Sequence, residues 1–262
     1  MKINLAATLV VISCIFAYSQ VKAEPSELTI RSKKFRHQNI AQNSSNKNDL
    51  NFVSRARDDR ETNGNRKAGG NHGGGNKCNS VKTPVTALIP GKESGAFKLF
   101  TAQERPTFWF YIPYSSKLDG EFFVKEDKTN RVVHKAIKYP LTGQPEPSIV
   151  SIPYSPTQQP LELNKTYIWS FQVICDPDDR SADMYVSGKL TIVKQTPKLV
   201  PPKSAKPEQK AILYAKDGLW LETLTTIATE LNRSNPNKAA SFMKNLLQTY
   251  QLEKFADKPI VK

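Results

Sequence analysis

Apolar and polar side chains alternate with a period of two through the middle of the chain, and a helical period replaces that alternation near the C-terminus. Residues Tyr167 to Cys175 read Y-I-W-S-F-Q-V-I-C, an acidic loop follows, and alternation resumes from Met184 to Leu190. This is the pattern of a β-hairpin. Upstream, Val85 to Ile89 is a short apolar run stopped by Pro90-Gly91. Thr107 to Pro113 carries bulky groups on both faces, as a central sandwich strand does. Gly120 to Lys125 and Arg131 to Ala136 flank a polar turn at 127–130, and Ser148 to Ile152 alternates. About seven short strands, separated by Pro- and Gly-rich turns, predict an antiparallel, immunoglobulin-like β-sandwich over residues 78–196.

Beyond it, residues 197–207 form a proline-rich linker, stiff and non-helical. A short helix from Glu208 to Lys216 ends at Asp217-Gly218. Trp220, Leu224, Ile227, Ala228 and Leu231 then fall on one helical face. Asn235-Pro236 stops that helix and starts another, with proline in its helix-starting role. Ala239, Met243, Leu246, Leu247 and Tyr250 form its apolar stripe. The fold class expected is therefore mainly β with a small α subdomain, a three-helix appendage over 208–262. So short a segment is marginal alone, and its stripes are expected to pack on each other and on the sandwich.

The N-terminal part cannot build a core. Residues 1–23 carry one lysine, an apolar run and a small-x-small end at Val21-Lys22-Ala23, which reads as a secretory signal peptide. The rival reading is a lipoprotein signal, with Val11-Ile12-Ser13-Cys14 as a loose lipobox and a lipid on Cys14. Residues 24–77, rich in Asn, Ser, Arg and Gly, read as a disordered basic leader. The net charge of +14 lies on this leader and on the C-terminal segment rather than on the strands. Basic tails bind anionic polymers or simply solvate. The Arg/Gly composition suits RNA, but an exported chain does not meet it, so no nucleic-acid partner is expected. No later segment has the ~18 consecutive apolar residues of a membrane helix.

Two cysteines remain after the leader peptide, Cys78 and Cys175. An even count in an oxidising compartment favours a disulfide; the alternative is two unpaired buried thiols. Neither lies in a C-x-x-C pair, and only His37, His72 and His134 are available, which argues against zinc. The loop holding Asp176, Asp178, Asp179 and Asp183 has two readings, a calcium loop or turn chemistry in which Asp and Pro bond their own backbone. Its spacing departs from an EF-hand. Trp109, Tyr111 and Trp169 belong to a dense aromatic set. In the strand from Thr107 to Pro113 one alternate set must point away from the sandwich core, either covered by the C-terminal helices or exposed as a surface for sugars or peptides. No G-x-S-x-G, H-E-x-x-H, Walker loop or dinucleotide fingerprint occurs. A hydrolase would have to gather Asp176, Asp178, Asp183, Arg105 and His134 about one cleft.

Four segments in order, T-A-L-I-P (86–90), E-R-P-T-F-W-F-Y-I-P-Y (104–114), C-D-P-D-D-R-S-A-D-M-Y-V-S-G (175–188) and Y-A-K-D-G-L-W-L-E-T-L (214–224), resemble a cyanobacterial family of exported proteins, the domain of unknown function number nine-two-eight. The resemblance spans roughly 78–262 and implies export. It brings no activity, cofactor or catalytic residue. Residues 215–231 are also similar to part of a single tetratricopeptide unit, with Gly218 at its turn and Pro236 starting the next helix. One unit has no peptide groove. The function expected is non-enzymatic: an interaction or structural module of the cell envelope, without cofactor, partnered by an envelope protein or polysaccharide. The alternatives are a carbohydrate-binding module using exposed aromatics on the sheet and a calcium-stabilised envelope domain.

Overall fold

The computed structural model describes residues 49–55, 64–68, 78, 81–92, 98–114, 118–141 and 147–261. The signal-peptide and Cys14 readings lie outside these residues. Among these residues nine strands form: β1 (Thr86–Ala87), β2 (Leu99–Thr101), β3 (Thr107–Ile112), β4 (Asp119–Glu126), β5 (Val132–Pro140), β6 (Ser148–Pro153), β7 (Thr166–Ile174), β8 (Met184–Ile192) and β9 (Ile260–Val261). They make a five-stranded sheet in the order β2-β8-β7-β4-β5 and a four-stranded sheet in the order β1-β3-β6-β9. The sandwich is as the alternation predicts, and its central pairings are antiparallel. The two edge strands that alternation does not reveal, β2 and β9, instead pair parallel, with β8 and β6. Strands of two or three residues carry no readable period.

The core between the sheets is aromatic. Phe108 and Phe110 of β3 meet Phe122 of β4 and Trp169 and Phe171 of β7, with ring centroids between 4.4 and 6.4 Å apart. Gly188 lies opposite Trp169, and a Cβ there would sit 2.7 Å from the indole. That glycine is what lets the ring lie flat on β8.

The helical layer consists of α1 (Pro207–Lys216), α2 (Trp220–Thr226), the single turn α3 (Asn232–Ser234) and α4 (Pro236–Gln248), and α2 packs on the other face of β3. Asn235 caps α4 by accepting from the Lys238 backbone N–H, with Pro236 in the first turn. Trp109 donates to Thr225 Oγ1 at 3.0 Å, and the Tyr111 ring lies 4.6 Å from Phe255. Trp220 donates to the Leu88 carbonyl at 2.7 Å. Sandwich and helices thus share one continuous core. The Pro-rich linker opens with a 3₁₀ turn, Pro197–Leu199.

Parts of the segment read as a disordered leader are folded. Lys67 bridges to Thr86, the Ala68 N–H donates to Val85 O, and the Ala87 N–H donates to Arg66 O. Arg66 is buried and donates to the carbonyls of Gly91 and Tyr250. Phe52 meets Trp220 edge-on at 5.0 Å. Asp217 joins three segments: it pairs with Arg55 and accepts from the Thr196 N–H and hydroxyl. The composition hides this because only a few apolar side chains, Leu50 and Phe52 among them, anchor the segment, and backbone pairing and a buried arginine do the rest.

Cys78 and Cys175 form the expected disulfide, with Cα atoms 5.3 Å apart across 97 positions of sequence. Two outcomes follow. Replacing both cysteines by alanine is expected to cost about 3–5 kcal/mol in urea unfolding, as the chain-entropy relation gives for so long a loop; an unchanged midpoint contradicts a structural bridge. Asp217→Ala is expected to cost about 2–3 kcal/mol by the same measurement, since it strands Arg55 and the Thr196 donors together.

Candidate functional site

A polar cleft opens where the loop from β2 to β3 faces α1 and α2. Its volume is about 190 Å³. Thr101, Gln103, Arg105 and Thr107 line the sheet side, and Tyr214, Glu222, Thr225, Thr226 and Glu230 line the helix side.

The floor is Glu222. Its Oε1 accepts from Thr101 Oγ1 at 2.7 Å and from the Ala102 N–H at 2.6 Å. Its Oε2 is buried and has no hydrogen-bond partner among the described residues. Burial pushes the carboxyl above the usual carboxylate range, and the Thr101 hydroxyl together with the backbone N–H groups of Ala102, Glu222 itself and Gln103 pulls it down without prevailing. Burial thus favours the protonated form of Glu222, and Oε2 is the oxygen left without a partner. Tyr214 on the opposing wall is also raised, by burial first and by Glu222 second.

Sequence reasoning missed this residue, although a signal was present. From Leu219 to Leu231 the only charged residues are Glu222 and Glu230. A helix apolar on every side is buried on every side, so an acid near its start is buried with it. Leu221, Thr223 and Thr226 are buried alongside the stripe expected for this helix.

The threonines also shape the helix. Thr223 Oγ1 donates to Leu219 O at 2.8 Å, and Thr229 Oγ1 donates to Thr225 O at 2.7 Å. Such back-bonding competes with backbone donors and loosens a helix. Here α2 passes into a π-helical turn, Ile227–Leu231. Turns of this kind recur at functional sites, and this one carries Glu230 to the cleft, where Lys210 Nζ holds its carboxylate at 2.7 Å.

The residues singled out from sequence have other roles. Trp109, Tyr111 and Trp169 are 1%, 5% and 0% exposed. The exposed-aromatic surface is therefore corrected: Trp169 fills the sandwich, and Trp109 and Tyr111 lie under the helical layer. The calcium loop is corrected too. Asp176 accepts from the Asp178 N–H, Asp179 from the Ser181 N–H and hydroxyl, and Asp183 from the Cys175 N–H and Arg180. Arg180 reaches on to Glu121, and both partners raise its already high pKa. Each carboxylate serves its own turn, and among the described residues no three His, Cys, Asp or Glu side chains are placed to hold a metal. His134 is packed against Phe122 and Tyr154 and accepts from the Ser155 N–H. Arg105 is at the cleft, where it donates to Gln158 O. No helix among the described residues is long and apolar enough to cross a membrane.

Because the folded protein raises the Glu222 pKa, the proton is bound more tightly in the native state. The stability this gives is complete below the unfolded value and is lost as pH rises through the folded one. Glu222→Gln keeps the shape and both accepted bonds without the titration. Its melting temperature is expected to match the parent below about pH 4 and to exceed it by roughly 2–6 °C at pH 8. Calorimetry across that range checks this, and a constant difference at all pH values contradicts it.

No characterised protein and no solved structure matches the chain. Residues 62–260 match the family model described as Domain of Unknown Function (DUF928). The match begins upstream of Cys78, and the folded stretch 64–68 lies inside it. The chain belongs to the DUF928 family.

Proposed function

We propose that this protein is an exported, non-catalytic binding module of the cell envelope, with the cleft over Glu222 as its ligand site. The observation that carries the proposal is Glu222 Oε2. A buried polar atom without a partner costs about 1–3 kcal/mol, and in a residue that lines a cleft it favours a ligand that supplies one. Export is supported by the apolar run of residues 1–23 with its small-x-small end, and by a disulfide of the kind that persists in oxidising compartments. A cyanobacterial envelope is the setting the segment motifs suggest. The tetratricopeptide-like segment acts as a packing layer, with Trp220 and Leu224 turned into the core. The partner is an envelope protein or polysaccharide.

The test uses the tagged full chain in its native host. The protein is expected in the periplasmic or extracellular fraction, with Cys78 and Cys175 protected from alkylation until reduced. A photo-cross-linking side chain at Gln103, on the cleft rim, is expected to trap envelope material. One at Tyr185, exposed on β8 away from the cleft, is expected not to. Cytoplasmic recovery, no adduct at Gln103, or the same adducts from both positions rejects the proposal.

A further inference from the structure

The chemistry of the cleft narrows what it takes. Formal charges at its mouth are balanced: Arg105 stands on one side, and Glu230, itself held by Lys210, on the other. An anion would meet two carboxyl groups. A cation would approach a chain of net charge +14 and would have to ionise an acid in a place where burial disfavours the charge. What remains is a neutral group that donates and accepts hydrogen bonds at several points. Threonine hydroxyls, the Gln103 amide and the Arg105 guanidinium supply such points, and the Tyr214 ring supplies a flat wall. At about 190 Å³ the space suits one small ring rather than a polymer segment.

We propose that the cleft binds a single neutral sugar unit, with Glu222 Oε2 bonded to a ligand hydroxyl at the floor and Gln103 and Arg105 meeting other hydroxyls at the rim. This rests on the cleft being the ligand site. Oε1 is already filled by Thr101 and Ala102, so Oε2 alone is left for the ligand. It bonds to a sugar hydroxyl, which satisfies the one atom of the carboxyl that has no partner among the described residues. The aromatic rows of the sandwich play no part, since their rings are buried.

The experiment uses the full mature chain with its disulfide intact. Methyl glycosides of neutral hexoses, deoxyhexoses and pentoses are titrated by calorimetry and by saturation-transfer NMR. The same sugars are offered as non-reducing ends of immobilised glycans. Saturable binding of at least one neutral sugar is expected. Binding in both formats assigns the free sugar and binding to the immobilised form alone assigns a chain end, and either supports the proposal. Gln103→Trp, at an exposed rim position, is expected to block the cleft and weaken binding about tenfold or more, with an unchanged melting temperature. Glu222→Gln keeps a donor at the floor and is expected to retain affinity within about threefold.

Absence of saturable binding overturns the inference, as does full affinity in Gln103→Trp. Preference for spermidine or methylamine, abolished by Glu222→Gln, overturns it in favour of a cation. If the sugars fail while Gln103 still captures envelope material in cells, the inference falls and the binding-module proposal stands. If the cross-link fails as well, both fall.

Discussion

Strand β3 is buried on both faces, and the rest of the molecule is arranged to satisfy that. Its six residues send Phe108 and Phe110 into the sandwich and Trp109 and Tyr111 to the opposite side. Each large side chain removed from water contributes about 1.5–3 kcal/mol. Neither set can be left exposed without losing a large share of the stability typical of a single domain. The five-stranded sheet covers one side. The helices cover the other, and Thr225 and Phe255 supply the contacts that the indole and phenol require. The cleft is a consequence of this layering: it forms where the start of β3 leaves the sheet and the loop from β2 passes beneath α2.

The elements with a sustained period were legible in the sequence. Strands β4, β7 and β8 alternate over eight or nine residues, and α4 carries a clean apolar stripe. The two-sided character of β3 was readable from adjacent bulky residues, while the choice between a helical cover and an exposed surface was not. The parallel edges β2 and β9 were not, because two or three residues define no period and their partners are remote in sequence. The folded stretches 49–55 and 64–68 were hidden for a different reason. Arg66, Arg55 and backbone bridges hold them, and by composition such residues read as a solvated tail.

The site shows how composition and environment separate. The most acidic stretch, Asp176 to Asp183, drew attention by density, yet its carboxylates accept from backbone donors two to eight residues away or from Arg180. Those bonds are what make the hairpin turn, and they leave each acid committed to its own loop. Glu222 drew none, because a single acid in a helix is ordinary. What sets it apart is the absence of any other charge on its stretch until Glu230. That is a property of the neighbours and not of the residue.

A buried acid in such a helix is not the cheapest way to fill the space. Leucine at this position would remove the desolvation penalty, and the donors of Thr101 and Ala102 would then be the groups left without partners. Glutamine would satisfy both with one oxygen and would not titrate. Leucine lacks the property that glutamate has here and that glutamine would share: one oxygen fixed by the protein and a second polar atom left over in a residue that lines the cleft. A group that only ties β2 to α2 needs the first oxygen. The second is the atom that the proposed ligand meets, and the balanced charge and hydroxyl-rich walls around it are the reason that ligand is one that donates, accepts and carries no net charge.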